Sequence, residues 1–213
     1  MKRAILAVIL VMAAGSLWAE YGSKAVGIDA SIYNVRDVDA SDSVDKANSW
    51  SVAPYFAWMQ TDVFEIAPYV ELGMDRTVDD GSTDTLTVST GLGSAFYWHL
   101  LQTGPFRLIS GGTVGFSFEW LADPPVLGNT KDWTLGISLS IPLVFELAFG
   151  PRIMMRAGVD VVTFSMEYRQ YGTDAFTYKR TTWKLETISP FSGLRIGILY
   201  RFDSPARDEK ADQ

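Results

Sequence analysis

The chain has 213 residues, enough for one domain, with 18 basic against 25 acidic residues, one histidine and no cysteine. A formal charge of -7 repels a phosphate backbone and excludes nucleic acid as a partner. The lack of thiols excludes disulfides, thiolate zinc sites, thiol nucleophiles and a lipid-modified cysteine.

Lys2 and Arg3 form a short basic start, Ala4 to Ala14 is an apolar run, and Leu17-Trp18-Ala19 supplies a small residue before a cut. Residues 1–19 are expected to be a cleaved secretory signal. A retained membrane helix needs about 20 apolar residues, and this run stops at Gly15-Ser16. Cleavage would leave 16 basic residues against 25 acidic ones, a charge of -9. No other stretch approaches a spanning helix, so membrane residence would have to come from strands.

From Tyr21 to Phe202 the apolar residues alternate with period two, the pattern of strands with two unlike faces. The first segment, Ser23 to Asn34, sets Val26, Ile28 and Ile32 against Gly27, Asp29 and Ser31. The second, Trp50 to Met59, carries Trp50, Val52, Phe56 and Trp58. The third, Val63 to Met74, and the fourth, Thr85 to Leu100, set bulky residues such as Ile66, Leu72, Leu92 and Trp98 against Glu65, Glu71, Gly91 and Tyr97. In the fifth, Phe106, Leu108, Val114, Phe116, Phe118 and Trp120 alternate with Arg107, Gly111, Thr113, Gly115, Ser117 and Glu119. The sixth runs from Trp133 to Phe149 with a large apolar residue at every second position, which no helical period produces. The seventh, Arg152 to Tyr168, slips near Val162-Thr163, as at a bulge or where the strand leaves the membrane. The eighth, Lys184 to Phe202, is clearest from Ile188 onward.

The connectors alternate in length. Val35 to Ser49, Asp75 to Asp84, Leu121 to Lys131 and Arg169 to Trp183 are long, whereas Gln60-Thr61-Asp62, Leu101 to Pro105 and Gly150-Pro151 are short. Long loops on one side and tight turns on the other are the asymmetry of an outer-membrane barrel, with the turns and both termini in the periplasm. The small polar face of Gly, Ser, Thr and Ala suits a cramped interior. On the apolar face, Trp50, Trp120 and Trp133 lie toward the loops, and Trp58, Trp98, Phe106, Phe149, Tyr200 and Phe202 toward the turns. Two aromatic girdles around an aliphatic band are what a bilayer selects. The expected fold is all-β: an eight-stranded antiparallel transmembrane up-and-down β-barrel over residues 20–202.

The last strand, Arg195-Ile-Gly197-Ile-Leu-Tyr200-Arg-Phe202, resembles the terminal signal that outer-membrane barrels present to their assembly machinery. With the leader and the strand count, the chain resembles the small outer-membrane barrels of the OmpA-domain, OmpX and OmpW type. The resemblance implies that Gly197, Tyr200 and Phe202 form an assembly signal, with outer-membrane lipid and the barrel-assembly machinery as partners. One departure is residues 203–213, a polar tail expected to be disordered in the periplasm.

Lumen-facing charges are the first functional candidates. Alternation places Asp29, Glu71, Arg156, Asp160 and Arg195 near mid-height, and Glu65, His99, Arg107, Glu146 and Arg201 nearer the periplasm. An eight-stranded barrel is filled by its own side chains, so such charges must pair. Arg195 with Asp29, and Arg195 or Arg156 with Asp160, are the expected pairs. A charged interior also resembles the OmpA-domain and OmpX interiors more than the apolar lumen associated with OmpW. In the fourth loop Arg169, Tyr171, Phe176, Tyr178, Lys179 and Arg180 form a basic and aromatic patch suited to head groups, polysaccharide or a host protein. His99, the one histidine, falls at the turn end, away from where barrel hydrolases keep theirs, so no enzyme, metal or cofactor is expected. The sequence thus points to a monomeric surface protein with a structural or interaction role through its loops and a plugged, porin-like lumen. The alternative is a narrow channel for small solutes.

Overall fold

The computed structural model describes residues 24–38, 44–61, 63–78, 84–123, 132–172, 177–187 and 194–202. The expected signal, the terminal tail and Phe176 lie outside them. Among the described residues the strands are β1 (Lys24–Val38), β2 (Val44–Met59), β3 (Phe64–Val78), β4 (Asp84–Thr103), β5 (Phe106–Asp123), β6 (Trp133–Ala148), β7 (Ile153–Gly172), β8 (Thr177–Thr187) and β9 (Arg195–Arg201). Each of β1 to β6 pairs antiparallel with the next, β6 pairs with β7, and β9 joins β7 to β1. The sheet therefore closes into a ring of eight strand positions.

The ring is strongly staggered. From Ser31 the ladders run through Ser51, Gly73, Ser89, Glu119 and Thr134 to Arg169 of β7. In the other direction Ser31 pairs with Arg195, and Arg195 with Gly158 of the same β7. The two walks arrive eleven positions apart, one of them the bulged residue Val161, which has no partner where Ile141 faces Val162 and Pro142 faces Asp160. Such a stagger tilts the strands, and tilt and strand number together fix a narrow bore. The bulge falls beside the expected slip. On the other side of β6, toward β5, the Ser110 hydroxyl donates to the Pro142 carbonyl at 2.8 Å.

The outer face is apolar. Leu92, Phe116, Leu139, Ile141, Ile196 and Ile198 are 48–59% exposed, and Trp98, Phe149, Tyr200 and Phe202 stand exposed toward the tight-turn end, here the lower end. Trp50, Trp120 and Trp183 stand exposed toward the other. Water would not tolerate a continuous belt of this kind, whereas lipid does.

The inner face is filled by a cross-strand rule. Three inward tyrosines each lie directly opposite a glycine: Tyr55 faces Gly27, Tyr69 faces Gly93 and Tyr97 faces Gly111. A Cβ on Gly27 or Gly93 would fall within about 2.5 Å of the facing phenol ring, so the missing side chain is what admits the large one. Three inward charges also lie opposite glycines, Asp29 facing Gly197, Glu71 facing Gly91 and Arg195 facing Gly158, and at Gly197 a Cβ would collide with the facing carboxylate. Below the tyrosines, Ala25, Ala57, Ala67, Ala95, Ile109, Val144, Met154 and Leu199 close into an apolar core.

Two expectations need correction. The long connectors are largely strand: β1 and β2 pair up to Val38 with Val44, β3 and β4 up to Val78 with Asp84, and β7 and β8 up to Gly172 with Thr177. Polar side chains end the lipid-facing band without ending the backbone ladder, so composition marked the membrane edge and not the strand end. The eighth segment is also two strands. β9 pairs with Ile153–Gly158 of β7 and with β1, while β8 pairs with Val162–Gly172 of β7 alone. Above Ser31, among the described residues, no ladder joins β1 to β8.

Candidate functional site in the barrel lumen

The lower lumen is built on Arg156. Its Nη1 and Nη2 donate to Glu65 Oε1 and Oε2 at 2.9 and 2.8 Å, a bidentate pair across the bore from β7 to β3. Its Nε donates to Glu146 Oε2 at 2.9 Å on the neighbouring strand. Glu146 Oε1 accepts from Arg107 Nη1 at 3.1 Å, and His99 Nε2 lies 3.5 Å from Glu65 Oε2. The rings of Tyr55 and Tyr97 lie 5.7 and 5.6 Å from the guanidinium carbon. Glu65, Glu146 and Arg156 are all buried. Carboxylates thus satisfy the edge of the guanidinium and aromatic rings cover it. Arg201, also buried, sits at this end with an Nε that has no hydrogen-bond partner.

Arg156 therefore belongs to the lower cluster and not to the mid-height set. The tight turn before β7 leaves it three residues past the strand start, directly across from Glu146. Mid-height holds a second group, in which Arg195 Nη2 pairs with Asp160 Oδ2. Ser140 Oγ donates to Asp160 Oδ1 at 3.0 Å, and the hydroxyls of Ser140 and Thr113 bond each other. The expected Asp29–Arg195 pair is not formed. Asp29 folds over Gly197, its Oδ1 has no hydrogen-bond partner, and Glu71 likewise makes no ion pair among the described residues.

Asp29, Tyr55, Tyr69, Glu71, Tyr97 and Arg195 line a narrow recess directly above the Arg156 cluster, open to solvent and with a cavity volume of about 30 Å³. Ala30 also lines it, although alternation puts Ala30 on the outer face. The three tyrosines and their facing glycines were not legible as a set, because the pairings of β1 with β2 and of β3 with β4 cross long connectors whose length says nothing about register, and only Tyr97 with Gly111 lies across a tight turn.

At the upper rim, Arg169 meets Asp132 at 3.3 Å and Lys184 meets Glu167 at 3.1 Å. The loop patch is divided. Arg169 faces Arg180 and Tyr171 faces Tyr178 in the ladder, so these positions share one face, whereas Lys179, opposite Gln170, falls on the other. Strand alternation splits what looked contiguous along the chain.

A closed, staggered eight-position ring with an apolar belt outside and ion pairs inside decides the architecture. The fold is that of an outer-membrane β-barrel. A major outer membrane protein from Thermus thermophilus superposes with a TM-score of 0.52 at 12% identity, over 86% of this chain and 100% of that one. Neisserial surface protein A gives 0.46 at 14% identity, over 85% and 100% of the two chains. An outer membrane channel from Pseudomonas putida gives 0.36 at 9% identity, over 85% and 96%. No protein-family profile matches the sequence, and no curated protein matches it.

Proposed function

We propose that this outer-membrane barrel is a closed scaffold that presents its extended hairpins at the cell surface, where they make structural or adhesive contacts. The observation that carries this reading is the position of Arg156, held by Glu65 and Glu146 from opposite walls with Tyr55 and Tyr97 on its faces. In so narrow a bore a buried cluster of that size leaves no continuous water path. Above the membrane the β7–β8 hairpin carries Tyr178, Lys179 and Arg180 exposed. Those side chains suit polysaccharide, anionic head groups or an acidic host protein. The same reading has residues 1–19 removed as a secretory leader and puts the mature termini and the tight turns in the periplasm, with Gly197, Tyr200 and Phe202 read by the assembly machinery. It assigns no catalysis and a monomeric state.

Planar-bilayer recording of the refolded protein tests it. The wild type is expected to be electrically silent, and stable single-channel openings that change on Arg195→Gln would replace the scaffold reading with a narrow solute channel. The recess above the cluster is the one feature that favours that second reading. Protease treatment of intact cells checks orientation, with cleavage expected at Lys179 or Arg180 and none within residues 203–213.

A further inference from the structure

The recess above Arg156 has a charge imbalance that the closed-scaffold reading does not use. Each cation in its lining is already engaged, Arg156 by Glu65 and Glu146, and Arg195 by Asp160. The two other charged groups of the lining, Asp29 and Glu71, have no ion-pair partner among the described residues. Asp29 Oδ1 and the Tyr55 hydroxyl, buried beside each other, make no hydrogen bond of good geometry, and Tyr55 as a whole is 5% exposed. Asp29 lies in the field of Arg156 and Arg195 but contacts neither, and a partly desolvated carboxylate without a direct counter-ion favours a ligand that supplies one.

We propose that the recess binds a small aliphatic ammonium ion. An ammonium group offers three N–H donors and a positive charge, which matches two carboxylates and a phenol oxygen. The rings of Tyr55, Tyr69 and Tyr97 in the same lining add quadrupole attraction for a cation and apolar surface for a short alkyl chain. A metal ion fits less well, because among the described residues no three His, Cys, Asp or Glu side chains converge. An anion would meet Asp29 and Glu71 with both arginines already engaged. The net charge of -7 raises the local concentration of cations at the mouth. Closure below by the Arg156 cluster makes the recess a blind pocket, so occupancy does not require conduction.

Titration calorimetry on the full chain refolded in detergent tests this, with putrescine as the probe and 1,4-butanediol as its uncharged isostere. Saturable binding of putrescine is expected, with none of the diol. Asp29→Asn and Glu71→Gln should each weaken putrescine at least tenfold, while Glu186→Gln on β8 leaves it unchanged. Folding of every variant is checked by its heat-sensitive gel migration. If Asp29→Asn does not fold, Glu71→Gln carries the same comparison, and a rise in wild-type unfolding temperature with putrescine but not the diol is the independent readout. No saturable heat, equal binding of diol and amine, or undiminished binding in the folded variants would each overturn the site. A silent bilayer recording alongside any of these leaves the scaffold reading standing, so the two proposals fail separately.

Discussion

The lower and upper halves of the barrel are made of the same strands and are closed in different ways. Below Ser31, β9 completes the ring from β7 to β1, the lumen is packed with Ile109, Met154 and Leu199, and the charges are desolvated and bonded on several sides. Above it, among the described residues, β8 has a ladder to β7 only, and the pairs at Lys184–Glu167 and Arg169–Asp132 reach solvent. An ion pair of similar length contributes very differently in the two places. Removing one partner of a buried pair strands the other charge in a medium that cannot solvate it, whereas water substitutes for a lost partner at the rim.

The largest effect is therefore expected at Arg156. Arg156→Met should destabilise the folded barrel by about 3–5 kcal/mol, because Glu65 and Glu146 are left buried without their cation. Urea titration followed by tryptophan fluorescence measures it. The triple change Glu65→Gln, Glu146→Gln and Arg156→Met should recover most of the loss, and a triple variant as unstable as the single one would show that packing, and not charge, dominates the lower half.

Next comes the belt. Leu139→Arg, on the lipid face near mid-height, should cost about 2–4 kcal/mol, whereas Tyr178→Arg on the upper hairpin should be close to neutral. Equal effects at the two sites would remove the membrane placement.

The glycine–tyrosine pairs rank third. Gly93→Val, which drives a branched side chain into both the Val114 carbonyl and the Tyr69 ring, should cost about 1–3 kcal/mol by overpacking. Adding Tyr69→Ala should return part of that cost, as seen by the same unfolding measurement, if the facing pair is the cause.

The smallest effect is at the rim. Lys184→Ala is expected to change stability by less than about 0.5 kcal/mol. Amides of β8 should also exchange with solvent faster than those of β9, which has a ladder on both sides. Equal protection of the two strands would mean that the upper half is closed as tightly as the lower.

Much of this architecture was legible along the chain. Period-two alternation is local, set by the pleat, so the strand segments, the two faces and the girdles could be read without knowing any neighbour. The tight turns fixed local register, which is why Glu65, Arg107 and Glu146 could be assigned to one end of the lumen. Where the strands stop was not legible, since the change from apolar to polar residues at Val35 or Asp75 records the edge of the lipid and not the end of the ladder. The division of the last segment was not anticipated either, although Pro190 and Gly193 interrupt the apolar residues between Ile188 and Ile196.

What the sequence by itself determined is the alternation, and with it a barrel with an apolar outside. Only the tertiary structure decided which inward charges meet. Pairing across the bore depends on the stagger, which is a property of ring closure and belongs to no single strand. That stagger brings Glu65 across to Arg156, gives Asp160 to Arg195 and leaves Asp29 and Glu71 facing a recess, whereas hairpin register alone sets Arg156 beside Glu146 and each of Tyr55, Tyr69 and Tyr97 opposite a glycine.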